Sequence, residues 1–446
     1  MSDAMTTPAT NEISPPHHVV IVGGGFGGLN AARFLRRAPV LVTLIDRRNF
    51  HLFQPLLYQV ASGELSPANI AAPLRSILEG QANCEVMMGD VTGFDVADRR
   101  VLLNGNSVPY DTLVVAAGAR HSYFGHAEWE SLAPGLKTIE DATEIRRRLF
   151  SAFELAERDA EIQAAPRPEL LNFVIVGGGP TGVELAGALA DIAQYALKHE
   201  FRHINPADAH IVLVEAGDRV LAAFPPELST NAQQELEKLG VKVRLKTAVT
   251  SIAADHVLLD CGGAVERLPT RTVIWAAGVA ASPLAKALAD ATGAALDRAG
   301  RIAIAPDLTL PGHPEIFVLG DMASYTHQGG KPLPGVAPVA IQQGRYVAKL
   351  IRARMENRTL PKFRYRELGN LATIGRSAAV ADFGRVRFKG FIAWVLWLFI
   401  HLMNIVNYRN RILVLLQWAW NYLTHERSAR LITGSEAQQS LEELKS

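Results

Sequence analysis

Six glycines define the chemistry open to this chain. Gly23, Gly25 and Gly28 fall in V-V-I-V-G-G-G-F-G-G, and Gly177, Gly179 and Gly182 in F-V-I-V-G-G-G-P-T-G. Each set follows a β-branched run and precedes a helix-forming segment. In a G-x-G-x-x-G turn the first glycine permits the tight bend, the second lets backbone approach a pyrophosphate, and the third lets helix pack on strand. Phosphate then rests on the N–H groups and positive dipole of the helix N-terminus. A strand ending in an acid follows each turn: Asp46 lies 23 positions beyond Gly23, and Glu215 lies 38 beyond Gly177. A carboxylate about 20 residues on accepts ribose hydroxyls, and a loop at Asn205-Pro206 accounts for the longer second spacing. A chain with two such turns should hold two dinucleotides.

The elements that must position these residues also repeat. The first cycle is strand Val19 onward, helix Leu29 to Arg37, strand Val40 to Ile45, strand Cys84 to Val91, and strand Thr112 to Ala117 within T-L-V-V-A-A-G-A. The second begins at Leu171 and continues with helix Val183 to Lys198, strand His210 to Val214 and T-V-I-W-A-A-G-V. Glycine turn, acid-ended strand and A-A-G strand end recur in one order. The fold class is therefore α/β, with two Rossmann-like dinucleotide-binding domains; the alternative is a duplicated fold with one site in use.

Glu315 to Asp321 belongs to neither repeat. It reads as a buried strand whose acid caps a helix or holds a polyol. Lys331 to Gly335 is a loop, and the helix after it carries Pro338, tolerable only in a first turn. Ile139, Ile145, Leu149, Phe153 and Ala156 form a helical stripe, read as a bridge between domains or as an ordinary surface helix. His51 to Ala61, H-L-F-Q-P-L-L-Y-Q-V-A, is too apolar for a solvated loop. It packs under a sheet or lies along a bound cofactor.

At 446 residues, 48% hydrophobic and 20% charged, the chain suits two or three globular domains. A net charge of +1 gives no field for nucleic acid. Cys84 and Cys261 have no metal-like or C-x-x-C spacing, so no metal site is expected. Met1 to His18 lacks an apolar core and reads as a disordered leader rather than a signal peptide.

The C-terminal region is the apolar anomaly. Phe391 to Ile400 is unbroken, and I-L-V-L-L-Q-W-A-W-N-Y-L follows after polar residues. Seven Lys or Arg stand against one acid from 385 to 430, and Trp394, Trp397, Trp418 and Trp420 are four of the six tryptophans. A bilayer span needs about 20 apolar residues. Shorter runs with cationic flanks and tryptophans describe helices lying in the membrane interface. A buried hairpin or dimer core, or a true span, are the alternatives.

The two glycine turns, G-D-M-A at Gly320 to Ala323, H-L-F-Q-P-L-L-Y-Q-V-A, G-V-E-L-A-G-A-L-A-D and the C-terminal tail resemble type II NADH:quinone oxidoreductases, over about His17 to Thr424. The resemblance implies that Gly23, Gly24, Gly25, Phe26, Gly27 and Gly28, with Asp46 and Arg47, hold the ADP half of FAD. Val91 would contact adenine through its backbone, and Asp321 the ribityl or pyrophosphate region. Ala117, Gly118, Gly320 and Ala337 would complete that set. Gly177, Gly178, Gly179, Pro180, Thr181 and Gly182 would take the NADH pyrophosphate, Glu215 the adenosine ribose, with Ala277 and Gly278 alongside. Glu184 matches a glutamate near nicotinamide and flavin, and Gln342 a glutamine beside the isoalloxazine at the quinone pocket. Pro338 stands where the family usually carries a glutamine, which removes an amide and a backbone donor.

Several expectations follow. Glu215 repels a 2′-phosphate, favouring NADH over NADPH, with Arg219 opposing it. Glu184 is expected either to stabilise a helix first turn or to act as a nicotinamide-orienting or proton-relay group. The FAD domain is expected over 17–134 and 297–384, the NADH domain over 135–296, and membrane-associating helices over 385–446. The acceptor is expected to be a membrane quinone, ubiquinone or menaquinone. The protein would lie on the lipid bilayer surface at the cytoplasmic face of the cell membrane, as monomer or homodimer. No series of intramembrane ionisable residues is present for proton pumping. A soluble NADH-dependent reductase of a ferredoxin-like protein, and a redox sensor that binds NADH and FAD without turnover, are the rivals.

Overall fold

The computed structural model describes residues 16–162, 167–424, 427 and 429–433. The leader expected over 1–16 lies outside them save for Pro16. The described chain divides into two compact units. One takes residues up to Asn49, Leu74–Gly118 and Ala281–Tyr365; the other takes Phe50–Pro73, Ala119–Ala280 and Arg366 onward. These cuts differ from the sequence-based ranges, because 50–73, 119–134 and 366–384 group with the second unit and 281–296 with the first.

In the first unit, six strands lie in the order Thr309–Leu310, His313–Val318, Thr112–Val115, His17–Val22, Val40–Asp46 and Cys84–Met88. All neighbours are parallel except the first pair. A parallel strand is covered on both faces, which is why Val19 to Val22 carries no polar alternation. Helices Phe26–Phe34 and Ala337–Met355 pack backbone to backbone, since a Cβ on Gly344 would strike the Gly27 carbonyl. The strand expected to reach Val91 stops at Met88; Val91–Asp95 instead opens a separate antiparallel module with Arg100–Leu103 and Asn106–Pro109.

In the second unit, four parallel strands lie in the order Lys242–Arg244, His210–Val214, Asn172–Val176 and Thr272–Trp275. The glycine strand is again flanked by the acid-ended strand and the A-A-G strand. Gly23 N–H reaches Ile45 O at 2.8 Å, and Gly177 N–H reaches Val214 O at 2.8 Å. Here the stripe helix runs Ile139–Ile162, with Ile145, Leu149, Phe153 and Ala156 buried. It belongs wholly to this unit and is not a linker.

His51 to Ala61 is not a loop. Phe50–Leu52 pairs antiparallel with Ala71–Pro73, Pro55 is the second residue of a short 3-10 turn, Gln54–Leu56, and Leu57–Ala61 is a buried helix in the second unit. Three antiparallel strands, Asn370–Ile374, Ala378–Asp382 and Arg387–Lys389, precede helices Gly390–Asn404 and Tyr408–Thr424. No helix among the described residues is long and apolar enough to cross a membrane.

Candidate functional site

The two glycine turns have the same internal geometry. Gly23 and Gly177 have φ of +105° and +109°, open only to glycine at low strain. A Cβ on Gly28 would strike the Gly23 carbonyl, and one on Gly182 the Gly177 carbonyl. The middle glycines differ: a Cβ on Gly25 or Gly179 would meet nothing within 4 Å. Each is the N-cap of its helix, without a side-chain cap. Open space thus lies where a helix presents N–H groups that have no carbonyl one turn back. Both turns fit a pyrophosphate.

The acids do two things at once. Asp46 Oδ2 accepts the Gly24 N–H at 2.6 Å, and its Oδ1 accepts the Arg48 N–H at 2.8 Å. Glu215 Oε2 accepts the Gly178 N–H at 2.6 Å, and its Oε1 the Gly217 N–H at 2.7 Å. Each carboxylate therefore ties its own turn, and each oxygen keeps a second lone pair for a ribose hydroxyl.

Several of the other first-unit residues follow the C-terminal ends of strands in the same sheet. Ala117 and Gly118 follow Thr112–Val115, and the Ala117 N–H points at Met322 Sδ at 3.2 Å. Gly320, at φ +65°, donates its N–H to Gln343 Oε1 at 2.7 Å, and Asp321 sits in the same turn. Ala337 and Pro338 begin the long helix, so Pro338 lacks only a donor that a first turn leaves unpaired. Gln342 is half-buried on that helix, Arg47 is exposed and Val91 is buried. Gln343, which sequence reasoning passed over, is 1% exposed and ties the helix to Gly320. The adjacent glutamine pair was its only local signal.

In the second unit, Ala277 and Gly278 follow Thr272–Trp275, with Gly278 at φ +72°. Pro180 and Thr181 open the helix Pro180–Asp191, and Glu184 is its fifth residue. The first-turn stabiliser role is thereby corrected: no acid occupies that turn. Instead Glu184 borders a cavity of about 50 Å³, lined also by Tyr58, Gln59, Glu64, Asp191, Arg376, Trp397 and Arg427. Desolvation raises its carboxyl pKa to about 8, against the opposing Thr373 N–H, which reaches its Oε1 at 3.4 Å, and the Trp397 indole. Glu184 is thus mainly protonated at neutral pH. A buried ion pair, Arg427 to Asp191 at 2.7 Å, closes the far side. Tyr58, Glu64, Thr373 and Arg427 come from distant segments and carried no joint signal in the sequence.

The two C-terminal helices are two-faced. Trp397 and Trp418 are buried, whereas Phe391, Val395, Phe399, Leu415, Leu416 and Trp420 are exposed. Two of the four tryptophans read as interfacial therefore belong to the interior.

Comparison with known proteins agrees with this geometry. The pyridine nucleotide-disulphide oxidoreductase family matches residues 17–344, and the NDH2 C-terminal domain matches 368–425. The type II NADH:quinone oxidoreductase Ndh of Mycobacterium tuberculosis is 44% identical over 95% of this chain and 92% of its own. NdhA of the same organism is 44% identical over 94% and 89%. The solved structure of NDH2 from Plasmodium falciparum in complex with NADH matches 94% of this chain and 100% of that one, with a TM-score of 0.81 at 20% identity. The sulfide:quinone oxidoreductase of Aquifex aeolicus shares the fold at a TM-score of 0.69 over 96% and 95%. The chain belongs to the type II NADH:quinone oxidoreductases.

Proposed function

We propose that this chain draws NADH to the second glycine turn, holds FAD at the first, and delivers the electrons to a quinone taken from a lipid surface. The observation that carries the reading is one open phosphate cradle in each compact unit. FAD, when bound, supplies the hydride-accepting and electron-passing chemistry. The chain supplies position and protons. Gly23 to Gly28 and Asp46 bind the flavin's ADP half, with Ala117, Gly320 and Asp321 further along. Gly177 to Gly182 bind the NADH pyrophosphate, and the Glu215 charge selects against a 2′-phosphate.

Quinone reduction consumes two protons as well as two electrons. Glu184, held protonated by burial, is the group we assign to that supply. Gln342 is assigned to the acceptor side, with Pro338 altering the contacts available there. The exposed apolar faces of Gly390–Asn404 and Tyr408–Thr424 are assigned to the lipid surface, on the cytoplasmic face. They favour a lipid-dissolved acceptor over a ferredoxin-like protein.

The test pairs two measurements on the full-length protein: flotation with liposomes, and NADH oxidation with a short-chain quinone or with a ferredoxin. Flotation together with quinone-dependent turnover is expected. A protein that ignores liposomes and reduces only ferredoxin would overturn the reading.

A further inference from the structure

The first unit carries a groove that the reaction described above does not use. It lies where helix Phe26–Phe34 ends, about 14 Å along the helix axis from the phosphate cradle at its start. Its volume is about 310 Å³, within the range of about 300–1,000 Å³ that small-molecule sites occupy. Arg33, Arg36 and Arg345 line it together with Phe34, Ile77 and Leu78, and no Asp or Glu among the described residues does. Glu79 stands exposed next to Leu78 and, among the described residues, pairs with none of the three arginines.

Basic side chains at a helix C-terminus commonly cap its last carbonyls, but here neutral groups do so. Gln81 Nε2 donates to Ala32 O at 2.8 Å, and Asn83 Nδ2 donates to Leu35 O at 3.1 Å. The Leu35 and Arg36 N–H groups reach Ala31 O and Arg33 O at 3.1 and 3.3 Å. The arginines are left with most of their donors unused. Arg36 Nη2 gives one hydrogen bond, to Gly80 O at 2.7 Å. Arg345 Nε gives one, to Asn30 Oδ1 at 3.2 Å, and its guanidinium lies over the Phe34 ring at 5.1 Å. Arg33 makes no hydrogen bond or ion pair among the described residues. By contrast, Arg301 and Arg354 of the same unit pair with Asp297 and Asp307 at 2.8 and 3.3 Å. A guanidinium has five N–H donors, so the groove offers three uncompensated charges and a surplus of N–H groups.

We propose that this groove is a binding site for a phosphate-bearing ligand, distinct from the cradle at the first glycine turn. Its phosphate sits on Arg33, Arg36 and Arg345, and its remaining part lies against Phe34 and Ile77. A guanidinium fork meets phosphate oxygens two at a time. A phosphate monoester or polyphosphate also brings two or more negative charges to three cations, where a carboxylate brings one. Arg36 and Arg345 are already held by Gly80 and by Asn30 and Phe34, so binding orders little beyond Arg33. A soluble nucleotide and the headgroup of phosphatidic acid both present this chemistry.

The test is a calorimetric titration of the FAD-loaded full-length protein with inorganic pyrophosphate, with NAD⁺ at saturation to occupy the second glycine turn. Wild type is compared with R33Q, R36Q, R345Q and R33Q/R345Q. Two further variants, R37Q and K349Q, remove exposed cations that do not line the groove. Flavin content and Tm confirm that each variant is folded. Saturable binding to wild type is expected, weakened about tenfold by each lining substitution, the scale of one charge-assisted hydrogen bond. R33Q/R345Q should weaken it by about a hundredfold, and R37Q and K349Q by less than about twofold. Competition then identifies the source. Displacement of pyrophosphate by ADP marks a soluble nucleotide, and displacement by vesicles of phosphatidic acid but not of phosphatidylcholine marks a lipid headgroup. Three results would each overturn the proposal: no saturable binding to wild type, binding that R33Q/R345Q leaves unchanged, or equal weakening by R37Q and K349Q, which is diffuse surface charge. Pyrophosphate that neither competitor displaces is an adventitious ion only and overturns it as well.

Discussion

Gly178 donates its N–H to Glu215 Oε2 at 2.6 Å, so the acid we assign to ribose also closes the turn we assign to phosphate. Asp46 and Gly24 repeat the relationship at the same distance. Cofactor grip and turn geometry are therefore coupled, and a substitution at either acid acts on both.

That coupling decides which variant tests specificity. Glu215→Ala removes the charge and an acceptor of the Gly178 N–H together, whereas Glu215→Gln keeps an acceptor. Glu215→Gln should narrow the preference for NADH over NADPH by about tenfold, about 1.4 kcal/mol, read as the ratio of kcat/KM values. Glu215→Ala should add a rise in KM for both nucleotides. An unchanged ratio in Glu215→Gln would remove the charge argument.

The third glycine of each turn assigns the cofactors. Gly28→Ala places a methyl against the Gly23 carbonyl, and Gly182→Ala does the same at Gly177. Gly28→Ala should purify with little or no flavin. Gly182→Ala should keep its flavin colour and lose NADH affinity, by at least about tenfold, as overpacking of about 1–3 kcal/mol implies. Flavin content and NADH titration read the two outcomes, and a reversed pattern would exchange the sites.

Glu184 imposes a pH dependence. Its carboxyl is protonated below about pH 8 and ionises above it, so quinone reduction should decline through that region, and Glu184→Gln should abolish the inflection. Stability carries the same signature. An acid whose pKa is raised on folding binds its proton more tightly in the native state, so stability falls as pH rises from the ordinary carboxylate value to about 8. Glu184→Gln escapes that loss, and its Tm should pull ahead of wild type between about pH 5 and about pH 8 by a few degrees. Parallel melting curves across that range would contradict the raised pKa.

Membrane attachment is better tested on one face of the tail than by cutting it off. Trp397 and Trp418 line the interior cavity, so deletion from Phe391 would damage the site as well as the surface. Phe399→Glu with Leu416→Glu changes only exposed positions, 63% and 62% open. Liposome flotation should be lost, since each buried apolar side chain is worth about 1.5–3 kcal/mol and each carboxylate opposes insertion. Turnover with a water-soluble quinone should remain within about twofold, well under 1 kcal/mol. Retained flotation would place lipid contact elsewhere.

Arg427→Ala tests the tail's internal anchor. It leaves the Asp191 carboxylate buried without its partner, and breaking such a pair costs about 3–5 kcal/mol. A clear fall in Tm is expected, partly restored by Asp191→Asn in the same chain. No change in Tm would mean that water replaces the guanidinium.

Much of this protein is written locally. A glycine turn between an apolar strand and a helix is specified within ten residues, because φ near +105° and a helix packed against a carbonyl admit no side chain. The acid-ended strands and A-A-G ends follow the same local logic, so the two turns and their flanking strands can be read from pattern. The apolar tail is legible too, as period and composition.

What no local pattern contains is the meeting of distant segments. Glu184 looks like a first-turn acid until the helix start at Pro180 and the walls Tyr58, Thr373 and Trp397 desolvate it. Trp397 and Trp418 share the composition of Trp420, yet helix rotation buries two and exposes the third. The apolar segment at His51 reads equally as loop or cofactor bed until Pro55 is found inside the short turn Gln54–Leu56, ahead of a buried helix. A proton's affinity depends on every group within a few ångströms, and those neighbours are chosen by packing, not by adjacency along the chain.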